Sequence, residues 1–161
     1  TPCGTLFPYT TLFRSGQPLR VAVVGHRYAE RDPFLGVGVI AKLRRLGALV
    51  VTSPASCPEH PVPLEEGIYY EPSVRAARAI EAHLDDGVDG IVLLTYFACG
   101  PDSYAADTFL YRLEARAPAI PVLRLVLDEQ TSSEGLVTRL DTFVEVARHQ
   151  RRRRAVREGQ D

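Results

Sequence analysis

From Leu19 onward the chain alternates between two hydrophobic periods. Residues 19–24, LRVAVV, form a short β-branched apolar run closed by Gly25, the pattern of a buried strand. After Asp32, Pro33 and Gly36, the residues Val39, Ile40, Leu43 and Leu46 fall on one helical face, and Gly47 ends that helix. A second strand is predicted over residues 48–52. Residues 53–66 carry Pro54, Pro58, Pro61 and Pro63 and read as a loop. A helix starting near Glu71, Pro72 and Ser73 places Val74, Ala77, Ile80 and Leu84 inward and Arg75, Arg78 and Glu81 toward water. Residues 90–97, GIVLLTYF, are apolar on both alternating faces, as expected of a central parallel strand covered on both sides. A third helix over 102–114 turns Ala106, Phe109, Leu110 and Leu113 inward. A fourth strand follows over 121–127, and a last helix over 134–149 buries Leu136, Leu140, Phe143, Val144 and Ala147. Four strand-helix alternations predict an α/β domain: an open, mostly parallel four-stranded sheet with helices on both faces, a three-layer Rossmann-like or flavodoxin-like arrangement joined by right-handed crossovers.

Composition narrows this picture. The 161 residues are 45% hydrophobic and 24% charged, enough for one core and unlike a disordered or collagenous chain. No apolar run approaches the length of a membrane-spanning helix, and no secretory pattern is evident, so a soluble, cytoplasmic protein is expected. Methionine is absent even at position 1, and residues 1–15, TPCGTLFPYTTLFRS, show no period. They resemble translated sequencing-adapter read-through, so the sequence reads as a fragment with a non-native leader that packs poorly; an edge strand over residues 9–14 is the alternative. The expected division is a leader over 1–15, an α/β domain over 16–147 and a basic polar tail over 148–161.

The net charge of −1 is unevenly spread. Residues 16–147 hold twelve basic and eighteen acidic residues, whereas the tail is arginine-rich. A basic block at a helix end suits the helix dipole and reads as a solvated extension, with neither nucleic acid nor membrane expected as a partner. Cys3, Cys57 and Cys99 lie at irregular positions, which argues against a disulfide framework.

In open parallel sheets, ligands bind in the loops that follow the strands. These are residues 25–36, 98–104 and 128–135. Cys99 leaves the central strand just before Gly100, Pro101, Asp102 and Ser103, residues that suit a tight turn and a helix opening. A helix N-terminus favours thiolate, the form that ligates a metal or attacks an electrophile; a small buried core thiol is the alternative. His26 follows the first strand and is placed to face Cys99. Tyr28 and Asp32 are expected to line the same crevice. Asp128 and Glu129 end the fourth strand, either to cap the next helix or to bind a ligand, and Arg139 is expected to pair with one of them. Cys57 and His60 form a two-ligand pair too sparse for a metal site, while His83 and His149 are expected on exposed helix faces. Neither a G-x-G-x-x-G nor a G-K-[ST] motif is present, so no ATP site is expected.

Residues 97–103, FACGPDS, resemble the F-x-C-G-P-D-S segment of proteins related to 2-hydroxyacyl-CoA dehydratases and their activators, including the CoA-substrate-specific enzyme activases. Residues 24–33, VGHRYAERDP, are similar to that family's V-G-R-P-Y-x-x-x-D-P loop. Residues 127–143, LDEQTSSEGLVTRLDTF, are similar to its I-D-E-H-S-A-D-A-G-x-x-T-R-L-E-A-F segment. The resemblance covers residues 19–145. His26 and Arg27 stand where the family has Arg-Pro, and Gln130, Ser132 and Ser133 replace its His, Ala and Asp.

The resemblance implies a [4Fe-4S] cluster held by cysteines from successive α/β domains. It further implies an ATP-driven activator that donates one electron and a radical elimination of water from a 2-hydroxyacyl-CoA. Such a cluster takes about three or four thiolates. This chain would be the C-terminal domain of a larger polypeptide or subunit, inactive alone and contributing Cys99, with the other loop residues lining the cluster or substrate; the parent would be a lyase or its reductive activator. Two readings remain beside it. One is a small α/β enzyme with Cys99 as nucleophile and His26 as base; the other is a non-catalytic binding or assembly module with Cys99 buried.

Overall fold

The computed structural model of the chain describes residues 18–53, 70–129 and 131–158. The expectations for residues 1–15, Cys3, Cys57, His60, the proline-rich segment over 54–66 and Gln130 lie outside the described residues. Four parallel strands, β1 (Leu19–Val24), β2 (Ala48–Thr52), β3 (Gly90–Tyr96) and β4 (Val122–Leu127), form one sheet in the order β2-β1-β3-β4. The register sets Val21 against Val50, Val23 against Val92 and Leu94 against Leu125. Between them run α2 (Val39–Arg45), α3 (Glu71–Asp85) and α4 (Gly100–Arg116), and α5 (Ser133–Glu158) follows β4. The predicted fold class is therefore observed.

The two-residue period of the strands divides the core into two halves. Val21 and Val23 of β1, with Val92 and Leu94 of β3, pack with Leu43, Leu136, Leu140, Phe143 and Val144 on one face. Ala22 and Val24, with Ile91 and Leu93, pack on the other face with Ala76, Ile80, Phe109 and Leu113. The glycine that opens β3 has a packing reason: a Cβ on Gly90 would lie 2.7 Å from Cζ of Phe143. The five inward residues expected on α5 are all buried.

Four local expectations are corrected. Residues Arg27–Arg31 form a short helix, α1, where an irregular loop was expected. Val74 and Leu84 are only partly buried, and the inward face of α3 is rotated to include Ser73, Ala76, Ala79 and His83. His83 is accordingly buried, with its Nε2 unpartnered among the described residues. Finally, the basic segment continues α5 to Glu158 and is partly tied down. Arg148 donates to the Leu46 carbonyl at 2.7 Å. Arg154 and Arg151 reach Asp89 at 2.9 and 3.4 Å, and the same carboxylate accepts the Arg20 backbone N–H at 2.9 Å. Arg152, Arg153 and Arg157 remain exposed, as expected, and so does His149. Among the described residues no helix is long and apolar enough to cross a membrane.

Burial of His83 has a pH consequence. Desolvation pushes its pKa below the free imidazole value of 6.5; Arg20 adds to the depression and Asp86 opposes it. As pH falls, the unfolded chain therefore takes up this proton first, so stability is lost from about pH 6.5 downward until the folded group also titrates. Glu30 pulls the other way, because burial raises its carboxyl pKa. The expected result is that the melting temperature of His83→Leu falls less on acidification through that window than that of the wild type; parallel curves would contradict the burial of a neutral imidazole.

Candidate functional site

The strand order reverses between β1 and β3, and in such sheets the crevice outside the strand ends at this switch point takes the ligand. Two short segments meet there. After β1, Gly25 lets the backbone pass against β3, since a Cβ at this position would lie 2.8 Å from the Leu94 carbonyl oxygen. Glu30, 5% exposed, then holds the turn. Its carboxylate accepts the Gly25 N–H at 3.0 Å, the Ser53 N–H at 3.2 Å and the Ser53 hydroxyl at 2.6 Å, joining the loop to the end of β2. His26 is the N-cap of α1 and points back into the crevice.

After β3 the chain turns through Phe97 and Ala98, and Ala98 has φ 61°. A non-glycine residue in this left-handed region costs roughly 1–2 kcal/mol, and such strain concentrates at functional sites. The turn delivers Cys99 as the N-cap of α4, with Gly100 and Pro101 opening the helix and Asp102 in its first turn. The Cys99 carbonyl accepts the Ser103 N–H at 3.0 Å.

The two segments bring three donors together. His26 Nε2 lies 2.7 Å from Oδ2 of Asp102, and the two side chains are 9% and 8% exposed. Donor atoms of His26, Cys99 and Asp102 all lie within 4.8 Å of one another. Tyr28 stacks on the imidazole with ring centroids 4.9 Å apart, Tyr70 meets its edge at 6.0 Å, and Tyr96 stands at 6.3 Å. The Tyr96 hydroxyl donates to the Leu35 carbonyl at 2.8 Å and so fixes the loop after α1 over the strand ends. Behind His26 and Asp102 lies a cavity of about 20 Å³, room for roughly one water, which the buried Ser73 lines; its hydroxyl has no partner among the described residues.

Electrostatics corrects the expectation of an activated thiolate. Cys99 is half-buried, and desolvation pushes its thiol up; the Asp102 carboxylate adds to the rise, while the Asp102 backbone N–H opposes it. The favourable backbone N–H at the helix N-terminus is thus outweighed by burial together with the Asp102 carboxylate. Burial first, and then the Asp102 charge and Tyr70, raise Tyr28. Tyr96 is pushed up to about 12 by burial, then by Tyr28, Asp32 and Asp102. Both phenols are therefore protonated donors at neutral pH.

Of the residues expected in the site, His26, Tyr28, Cys99 and Asp102 converge. Asp32 instead holds its own loop, its Oδ1 accepting the N–H groups of Phe34 at 2.8 Å and Leu35 at 3.1 Å. Asp128 and Glu129 line an adjoining groove of about 910 Å³ with Phe34, Tyr96 and Phe97. Asp128 accepts the Thr131 hydroxyl at 2.7 Å, a local turn closure. Ser103 sits on the first turn of α4, and Arg139 donates to the Arg124 carbonyl at 2.9 Å. Sequence reasoning missed Tyr70, Ser73 and Tyr96. Tyr96 carried a signal, being an aromatic at the last position of the central strand.

A thiol, an imidazole and a carboxylate so arranged have two chemical uses. They converge on a point where one metal ion fits, and they resemble a nucleophile beside a carboxylate-oriented base. No family model matches the chain, and no curated protein matches it.

Proposed function

We propose that this chain is a domain of a protein related to 2-hydroxyacyl-CoA dehydratases or their activators, in which Cys99 supplies one thiolate to a [4Fe-4S] cluster shared with other domains. The observation that carries this reading is the setting of Cys99: a half-exposed thiol on the carboxyl edge of the central strand, at an edge rich in exposed apolar side chains. Phe34 is 88% exposed, Phe97 71% and Tyr104 55%. Exposed apolar groups gathered at one edge mark a surface that a partner covers. A neighbouring domain placed there would reach Cys99 directly.

The donor set fits one corner of a cluster and no more. Each iron takes its own ligand, so cluster ligands splay outward, whereas His26, Cys99 and Asp102 crowd together; only the thiolate is a standard cluster ligand. When bound, the cluster would supply one-electron chemistry at low potential. The chain's own residues would serve it by position. The His26–Asp102 hydrogen bond lies beside the thiolate, and the stacked Tyr28 fixes the imidazole's orientation. An ATP-dependent activator and an acyl-CoA substrate belong to the parent protein in this reading, with a cytoplasmic location to keep the thiol reduced.

Reconstitution with iron and sulfide tests the proposal. The 161-residue chain alone should form no stable iron-sulfur chromophore, while the complete gene product should form one that Cys99→Ala weakens or abolishes. An unchanged chromophore in that variant would overturn the ligand assignment.

One observation favours a second reading, the small cysteine enzyme: the buried His26–Asp102 hydrogen bond lies next to the thiol. A base acting on Cys99 would make iodoacetamide alkylation fast at neutral pH and slower in His26→Ala. The ligand reading expects slow neutral-pH alkylation that rises only above the ordinary thiol range, with little dependence on His26, because burial and Asp102 disfavour the thiolate.

A further inference from the structure

The site carries one consequence that stands apart from any cluster. We infer that the chain by itself binds a single divalent transition-metal ion of the zinc class, through Cys99 Sγ, a ring nitrogen of His26 and a carboxylate oxygen of Asp102. These donor atoms lie within 4.8 Å of one another. Atoms bound to one tetrahedral ion at about 2.0–2.3 Å sit in that range, so one ion reaches all three with small side-chain shifts. The donor types agree with the metal class: thiolate and imidazole select zinc, iron or cobalt over magnesium or calcium, which take oxygen.

Burial separates this group from an ordinary surface cluster. His26 and Asp102 are 9% and 8% exposed. Their positions are held, the imidazole by stacking on Tyr28 and the carboxylate by its 2.7 Å hydrogen bond with His26. They come from loops after different strands, so the fold itself preforms the set. Three protein ligands leave a fourth position, and the half-exposed Cys99 and the 48% exposed Tyr28 put that position on the solvent side. A closed structural zinc site takes four protein ligands; an open one exchanges a water or a small anionic ligand.

Binding displaces protons. The thiol must lose its proton, and the hydrogen bond between His26 and Asp102 opens as both turn to the ion, so affinity falls with decreasing pH.

The test is a cobalt(II) titration of the 161-residue chain under reducing conditions. One equivalent should bind, with a thiolate-to-cobalt charge-transfer band in the near ultraviolet and tetrahedral d–d bands in the visible; zinc should displace it. Cys99→Ser should abolish the charge-transfer band. Asp102→Asn and His26→Ala should each weaken binding at least tenfold, as read by competition with a chelator. Where His26→Ala loses its helical far-ultraviolet signal, His26→Gln replaces it with the same expectation. The double variant Cys3→Ser/Cys57→Ser should keep the band, which separates this site from the Cys57–His60 pair. Absence of the band, its survival in Cys99→Ser, or unchanged affinity in the His26 variant would each overturn the inference. None of these outcomes bears on a Cys99-dependent cluster in the complete gene product, so the two readings fail separately.

Discussion

Phe143→Ala is expected to destabilise the domain by about 3–5 kcal/mol, the usual range for deleting a buried phenyl ring. Phe143 is 5% exposed, between Leu140 and Val144 on the face of α5 that covers the sheet. Its ring fills the space above Gly90, where even a Cβ would meet Cζ at 2.7 Å. Gly90 has no side chain to move into the void, and the strand backbone is held by pairing on both sides, so the cavity would persist and the cost should fall in the upper part of the range. Urea denaturation would measure it, with an unchanged denaturant slope showing that the unfolded state is unaffected. Val146→Ala on the same helix, 44% exposed, should stay within about 0.5 kcal/mol. Equal costs for the two would contradict the packing of α5 against β3.

Gly25→Val should damage stability and site together. A Cβ at Gly25 would stand 2.8 Å from the Leu94 carbonyl oxygen and 2.9 Å from Leu94 Cβ. Those atoms belong to the central strand, so they cannot swing aside as a flexible side-chain end would. Overpacking of this kind costs about 1–3 kcal/mol, and valine adds two methyl groups to the clash. The displaced backbone also carries the N–H that Glu30 accepts at 3.0 Å, and it leads directly into His26. A shift near 1 Å at His26 would break the 2.7 Å contact with Asp102. The expected result is a lower urea midpoint together with cobalt affinity reduced at least tenfold in the protein that remains folded. Normal stability with normal metal affinity would contradict the close approach of β1 to β3.

Much of the fold was legible because its signals are local. The run LRVAVV and the doubly apolar GIVLLTYF read as strands of a covered parallel sheet, and β1 and β3 occupy them except at Phe97, which turns out of the strand and is 71% exposed. The five inward residues of α5 follow from a 3.6-residue period read over four turns. Cys99 at the strand end was equally legible, since Gly100 and Pro101 after a strand announce a turn into a helix.

What escaped depends on partners distant in sequence. His83 looked like a solvent residue beside charged neighbours, but the buried face of α3 runs through Ser73, Ala76, Ala79 and His83, leaving Val74 and Leu84 at its margins. The arginine segment looked solvated because Asp89, which binds Arg151 and Arg154, lies more than sixty residues earlier. Asp32 looked like a site residue until its loop geometry supplied two local N–H donors. The thiol was expected to be activated by its helix N-terminus, and the counterweight is burial first, with the Asp102 carboxylate of the same motif adding to it. Its partnership with His26 spans 76 positions and could not be read from spacing.

The proposed ligation of a cluster by Cys99 is tested most directly by electron paramagnetic resonance of the reduced complete gene product. The wild type should give the signal of a reduced iron-sulfur cluster. In Cys99→Ser, an oxygen donor replaces the thiolate at one iron, so the g-values should shift or the signal should collapse. A reduced spectrum identical to the wild type in shape and intensity would show that Cys99 is not a cluster ligand.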